Sequence, residues 1–243
     1  MATTARKGSK PIFRTARPYT ETEWPALTSV QRRNIMDLLC SLLQPLGDHR
    51  RAHIRPSKGT KRKREARKDA QSEQPANPPP PHPPEIQTHI LIGLNSVIRH
   101  LESLAAQNAP PTAPSHGEET LSPRVKASDA GAPRPLALVL IPHNHPPASL
   151  PHANIPTLVH LSTMDSPPEK ATRLLAVPPG CEPVIAEALH IPHVGALGIL
   201  EGAPGADALV AYVRENVDVT RCRWIDEAMG PEWKGIKVDT QQA

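Results

Sequence analysis

The residues of this chain best suited to recognition chemistry are Gly93 and Asn95, which follow the segment 89–92 with its apolar run Ile90 to Ile92. That run predicts a strand, and the apolar residues of 95–106 recur at helical spacing. Another backbone can approach Gly93 closely because it has no Cβ, and a helix start offers unpaired N–H groups that suit a phosphate. The Asn95 amide can read a base edge because it both donates and accepts hydrogen bonds. The pattern is therefore typical of a site that binds folded RNA, although Asn is also a favoured helix N-cap.

Histidines form a second candidate group. His143 and His145 stand one residue apart in a Pro-rich loop, with His152 and Asp165 further along the chain. Two such histidines can share a zinc ion, which makes a metal-dependent hydrolase an alternative function. No Glu general base stands nearby, and a polar turn or contacts to RNA fit the same residues. We therefore predict no catalytic residue, no metal and no cofactor. The glycines at 195–198 lack nucleotide-loop spacing and predict close packing within a strand.

The positive charge of the chain is concentrated in one tract. The 243 residues carry a net charge of +4, yet residues 50–68 hold ten Lys and Arg against one Glu, and residues 85–243 hold eleven basic against seventeen acidic residues. The tract can bind phosphates without sequence preference. We predict nuclear import as its first role and RNA contact as its second. A run of four residues in it is typical of nuclear import signals: Lys61, Arg62, Lys63 and Arg64.

Composition narrows the class of protein. No apolar run reaches the roughly 18 residues of a membrane span, so no membrane association is expected. The three cysteines, Cys40, Cys181 and Cys222, form no Cys-x-x-Cys pair, which fits a reducing compartment and argues against a disulfide framework. Pro numbers 31 and aromatic residues make up 2%, which indicates that much of the chain is linker.

The patterns divide the chain into segments. Residues 11–47 predict an extended stretch and a helix that begins after Thr28 or Ser29. A lone amphipathic helix needs a surface on which to bury its apolar face, so docking on the main domain is favoured over docking on a partner. The rest of the chain is predicted as a basic, Pro-rich disordered linker at 48–84, a domain at 85–230 with a disordered insertion at 107–134, and a flexible tail at 231–243.

The domain at 85–230 alternates strands with helices, which predicts an α/β layered fold. The continuously apolar run at 136–141 is typical of a strand buried on both faces. Further strands are predicted at 172–176, 194–200 and about 218–225, and helices at about 147–153, 155–163, 181–190 and 206–216.

Together these elements resemble the kink-turn-binding ribosomal protein superfamily. That resemblance implies a three-layer α/β/α sandwich, here with an N-terminal helical extension and disordered linkers. The family has Lys before its motif glycine and Glu after its asparagine, where this chain has Ile92 and Ser96. The matching residues are Gly93, Leu94, Asn95, Leu138 to Ile141, Pro146, Pro147, His152 and Pro156.

The N-terminal segment is similar to the fungal Pop-three family of ribonuclease P and ribonuclease MRP subunits, through Trp24-Pro25 and Leu38 to Gly47. The resemblance implies a non-catalytic subunit that binds the particle's RNA and partner subunits, in the nucleus and nucleolus, for processing of tRNA 5′ ends and rRNA precursors. Alternatives are a box C/D or ribosomal kink-turn protein and the hydrolase.

The expected RNA-contacting residues come from two places. The first is the helix start, where Arg99 shares a helix face with Asn95 and either holds a phosphate or is a solvated surface cation. The second is a late loop, between the penultimate strand and the last helix, that contacts RNA in the family. The full set is Gly93, Asn95, Ser96, Arg99, Glu201, Gly202, Ala203, Pro204 and Gly205.

Overall fold

The computed structural model describes residues 11–16, 19–53, 82–108, 133–143, 146–230 and 235–242. The chain divides into two units: a larger one within 24–220, and a smaller one made of the described parts of 1–23 and 221–243. The predicted import run Lys61 to Arg64 and most of the predicted insertion lie outside the described residues. In the described part of the chain, no helix is both long enough and apolar enough to cross a bilayer.

The larger unit is a mixed α/β structure built on a four-stranded sheet, which confirms the predicted α/β class. The elements of this unit are α1 (Ser29–His53), β2 (Ile90–Ile92), α2 (Leu94–Gln107), β3 (Leu136–Pro142), α3 (Leu150–Ala153), α4 (Ile155–Ser162), β4 (Arg173–Val177), α5 (Glu182–Ala188), β5 (Leu197–Leu200) and α6 (Asp207–Asn216). The strands lie in the order β2-β5-β3-β4. Strand β4 runs parallel to β3, whereas β5 runs antiparallel to both β2 and β3.

Helices cover both faces of this sheet. Successive strand residues point to opposite faces, and along β3 Leu138 and Leu140 join one apolar core while Val139 and Ile141 join the other. The first core includes residues of α1, α5 and α6, and the second includes residues of α2 and α4. Every residue of β3 is buried, which is why its sequence is apolar without alternation.

Helix α1 packs on its own domain, as the sequence favoured. Thr28 and Gln31 form a capping box at its start, with the Gln31 N–H donating to Thr28 Oγ1 at 3.3 Å and the Thr28 N–H donating to Gln31 Oε1 at 2.9 Å. The helix continues through Pro45 to His53 and so passes the predicted boundary at 47. Its buried face comprises Ile35, Met36, Leu39, Leu42, Leu43, Leu46 and Gly47.

The close approach of α1 to α5 depends on a glycine. A Cβ placed on Gly47 would overlap the carbonyl oxygen of Ala188 and lie 2.9 Å from its carbonyl carbon. One turn further along α1, Arg50 Nη1 donates to the Leu189 carbonyl at 3.3 Å, just beyond the end of α5. These contacts fix the position of α1 along α5.

The predicted strand at 218–225 is wrong. Val217 donates its N–H to the Val213 carbonyl, and a helix (α7, Arg223–Met229) occupies part of the segment. A few β-branched residues do not make a strand by themselves, because β propensity depends strongly on the surrounding structure. In the smaller unit, which also contains α7, β1 (Pro11–Ala16) pairs antiparallel with β6 (Lys237–Gln242), so the segment predicted as a flexible tail contains a strand.

The described residues on either side of the predicted insertion are anchored to the domain. At the end of α2, Asn108 Nδ2 donates to the Leu161 carbonyl at 3.0 Å. Before β3, Arg134 Nη2 donates to the Thr88 carbonyl at 3.0 Å, and its carbonyl oxygen lies 2.8 Å from His100 Nε2. Both borders are therefore tied down by side-chain hydrogen bonds.

Candidate nucleic-acid interface

The start of α2 is set by the backbone of Gly93. This residue has φ +96° and ψ 144°, a conformation that residues with a Cβ rarely adopt. Its N–H donates to the Ala196 carbonyl at 2.8 Å, and its own carbonyl accepts from the Val97 N–H at 3.2 Å. The glycine thus lets the chain pass from β2 into α2 in a single residue.

The helix start is open to solvent. A Cβ placed on Gly93 would meet nothing within 4 Å. Gly93 itself is the N-cap and no side chain caps the helix, so Asn95 lies in the first turn and the interpretation of Asn95 as the cap is wrong. Asn95 and Ser96 are both exposed. First-turn N–H groups, the positive end of the helix dipole and the exposed Asn95 side chain therefore lie together at the start of α2.

Arg99 is exposed on the same helix. Residues four apart on a helix are neighbours on its surface, so Arg99 adds a cation beside Asn95. Within the described residues this places four of the expected contact residues together at the helix start: Gly93, Asn95, Ser96 and Arg99.

A second segment, which the sequence did not indicate, borders this opening. Because β5 runs antiparallel to β2, the residues just before β5 lie beside Gly93. A Cβ placed on Gly195 would lie 3.7 Å from the Cβ of Leu94. The Glu182 carboxylate holds this segment by accepting from the Val194 N–H at 3.2 Å, and its Oε1 lies 3.3 Å from His193 Nδ1. We call residues 193–196 the pre-β5 loop.

The late loop lies elsewhere. Glu201 to Gly205 follows the other end of β5, so it lies about 17 Å along the strand from Ala196 at roughly 3.4 Å per residue. The late loop and the α2 start therefore lie beyond opposite ends of β5. Within the late loop, Glu201 Oε2 accepts from Arg214 Nη2 at 2.7 Å. Gly202 and Pro204 are exposed, whereas Ala203 is buried. A Cβ placed on Gly205 would lie 3.6 Å from the Leu42 side chain.

Gly195 and Gly198 play different roles. Only Gly198 lies in β5, where a Cβ would approach Leu136 Cδ2 to 3.1 Å, which confirms the predicted close packing at that residue. Gly195 is exposed and lies before the strand, so the prediction that the strand begins at 194 is wrong.

The candidate histidines form a pair. The rings of His143 and His152 have centroids 4.7 Å apart, and His152 Nδ1 lies 2.8 Å from Ser149 Oγ. Burial, together with the neighbouring His143, lowers the pKa of His152, while a hydrogen bond to the backbone of Gly195 acts in the opposite direction. Among the described residues, no group of three His, Cys, Asp or Glu side chains could hold a metal, and His145 lies outside those residues.

Comparison of the chain with protein-family models and with curated proteins finds no match.

Proposed function

We propose that this chain is a non-catalytic, RNA-binding subunit of a ribonucleoprotein endoribonuclease of the ribonuclease P and MRP type. Its RNA-contacting surface would be the start of α2, bordered by the pre-β5 loop. It would act in the nucleus and nucleolus, on the particles that process tRNA 5′ ends and rRNA precursors, with the particle's RNA and other protein subunits as partners.

The open start of α2 is the observation that carries this proposal. A helix end without a side-chain cap leaves backbone donors for a phosphate. The exposed Asn95 amide beside it is suited to an unstacked base, which is how proteins read structured RNA. The mixed α/β structure with helices on both sheet faces also agrees with the sandwich that the sequence resemblance implies.

The charge distribution bears on how such a subunit would bind. Residues 85–243 carry more acidic than basic residues, so this part of the chain supplies little long-range attraction for a polyanion. We infer that hydrogen bonds at the α2 start give selectivity, and that the basic tract and the neighbouring subunits supply much of the assembly energy.

Crosslinking to RNA in cells, followed by sequencing of the RNA, tests the proposal directly. We expect the RNA of ribonuclease P or MRP to be enriched, with protein subunits of the same particle in the purified material. Enrichment of box C/D or ribosomal RNA would instead support the alternative function, a box C/D or ribosomal kink-turn-binding protein. Recovery of no RNA would refute the proposal.

Substitutions at Asn95 locate the binding surface. Asn95→Ala should weaken RNA binding without loss of stability, because Asn95 does not cap the helix and Ala has the highest helix propensity. Asn95→Asp tests whether the amide donor is needed. Ser103→Ala, exposed on the same helix, is the matched control. If the Asn95 variants and the control crosslink to RNA equally, the surface lies elsewhere.

A further inference from the structure

This inference rests on the proposed function. We propose that Glu182 is a positioning residue for the RNA surface, because its carboxylate fixes the backbone of the pre-β5 loop beside the start of α2. Glu182 acts through the loop and does not itself touch RNA. A loop that is already held in its binding conformation does not have to be ordered by the RNA, and this raises the affinity.

Hydrogen bonds connect the pre-β5 loop to Glu182 on one side and to the α2 start on the other. Glu182 Oε1 accepts from the Val194 N–H at 3.2 Å and lies 3.3 Å from His193 Nδ1. Two residues beyond Val194, the Ala196 carbonyl accepts from the Gly93 N–H at 2.8 Å. The backbone that Glu182 holds is therefore the backbone that borders Gly93.

The Val194 N–H needs a side-chain acceptor because it lies before the strand. Val194 is fully buried between two exposed residues, His193 and Gly195, and a buried N–H is costly to leave without a partner. The pairing of β5 with β2 and β3 starts at Leu197, three residues further along the chain. The Glu182 carboxylate supplies the acceptor that the sheet supplies from Leu197 onwards.

The chain returns from the end of α5 to the pre-β5 loop along a path that is fixed at two places. It leaves the helix through His190, which has φ +52°, a left-handed conformation. The Ile191 N–H then donates to the Ala186 carbonyl at 2.9 Å and fixes the turn. The bond from Val194 to Glu182 fixes the chain a second time, back at the start of the same helix.

Attachment of the loop and orientation of its backbone depend on different groups. The Val194 side chain belongs to the apolar core that includes residues of α1, α5 and α6, so it keeps the loop on the domain even without Glu182. The carboxylate instead orients the backbone at Val194 and the ring of His193. A Cβ on Gly195, the next residue, would lie 3.7 Å from the Cβ of Leu94, so a shift of the loop backbone reaches the first residue of α2.

The RNA affinity of Glu182 variants of the full-length protein tests this proposal. The probe is a kink-turn RNA hairpin, with a hairpin of the same length but without the internal loop as its control, and fluorescence anisotropy reports the affinity. Glu182→Ala should bind the kink-turn hairpin about three- to tenfold more weakly, because the RNA must then order the loop. Glu182→Gln should stay within about twofold of wild type, because its amide oxygen can still accept from Val194.

Two further variants separate position from charge. Glu187→Ala is the matched control, because Glu187 is an exposed glutamate on the same helix. Both alanine variants lose one negative charge, and long-range electrostatics alone should make both bind RNA more tightly. Positioning predicts the opposite sign for Glu182→Ala only. Glu182→Asp keeps the charge but withdraws the acceptor by one methylene, so it should also bind more weakly, and it tests the proposal if Glu182→Ala does not fold.

Amide hydrogen exchange gives a second readout, which does not depend on RNA. The Val194 N–H should exchange faster in Glu182→Ala and Glu182→Asp, and at the wild-type rate in Glu182→Gln and Glu187→Ala. A residue that only stabilises the fold would lower the melting temperature without weakening RNA binding in the variants that remain folded.

The outcomes also distinguish this inference from the proposed function. Wild-type affinity in Glu182→Asp and Glu182→Ala, or an equal loss in Glu182→Ala and Glu182→Gln, would overturn the role of Glu182 and leave the function standing. If the wild-type protein does not bind the hairpin and RNA crosslinking in cells also fails, the proposed function is wrong and this inference falls with it.

Discussion

Gly47→Ala gives the sharpest test of how α1 packs, because two effects of opposite sign compete. Alanine in a helix interior is about 1 kcal/mol more favourable than glycine. The added Cβ, however, would overlap the backbone oxygen of Ala188, and backbone cannot rotate away as a flexible side chain can. Overpacking of this kind costs about 1–3 kcal/mol, and displacement of α1 also breaks the bond from Arg50 to Leu189, worth about 0.5–1.5 kcal/mol.

The net expectation for Gly47→Ala is a loss of about 1–3 kcal/mol in the free energy of unfolding, since the overlap and the broken hydrogen bond outweigh the propensity gain. Urea denaturation followed by circular dichroism measures it. Gln44→Ala, exposed on the same helix, should change stability by less than about 0.5 kcal/mol. A gain of about 1 kcal/mol in Gly47→Ala, the pure propensity value, would show that α1 does not contact α5 in this way.

Three further predictions concern the α2 start, the α1 cap and His152. Gly93→Ala should lose about 1–3 kcal/mol through backbone strain, whereas Gly180→Ala, with open space and no positive φ, should be near neutral in thermal melts. Thr28→Ala should cost about 0.5–2 kcal/mol, while Gln31→Glu should retain the capping box; equal urea midpoints for all three proteins would contradict this. Because the pKa of His152 is lowered in the folded state, the unfolded chain binds the proton first as pH falls. Wild-type stability should therefore hold above about pH 6.5 and fall below it, with a smaller fall in His152→Gln, as urea midpoints at several pH values will show.

Local patterns predicted the elements of this protein well where one physical effect dominates. The apolar run of β3 identified a strand buried on both faces, and the amphipathic pattern of the first helix indicated the apolar face that α1 buries on the domain. In both places the positions that must be buried carry apolar residues, so the sequence pattern shows directly which positions are buried.

The arrangement of loops around the candidate site could not be predicted from local sequence patterns. An apolar strand has the same sequence pattern whichever way it runs, so nothing in the residues of β5 shows that it is antiparallel to β2 and β3. That direction places the pre-β5 loop beside Gly93 and the late loop beyond the other end of the strand. The predicted boundary at 47 also failed, because α1 continues through Pro45 to His53, with Leu46 and Gly47 buried.

The anchored borders at Asn108 and Arg134 have a practical consequence for protein engineering. Helix α2 has 14 residues, so the first border lies about 20 Å from the end that carries Asn95. An affinity tag or a fluorophore attached directly after Asn108 would therefore start from the end of α2 opposite Asn95.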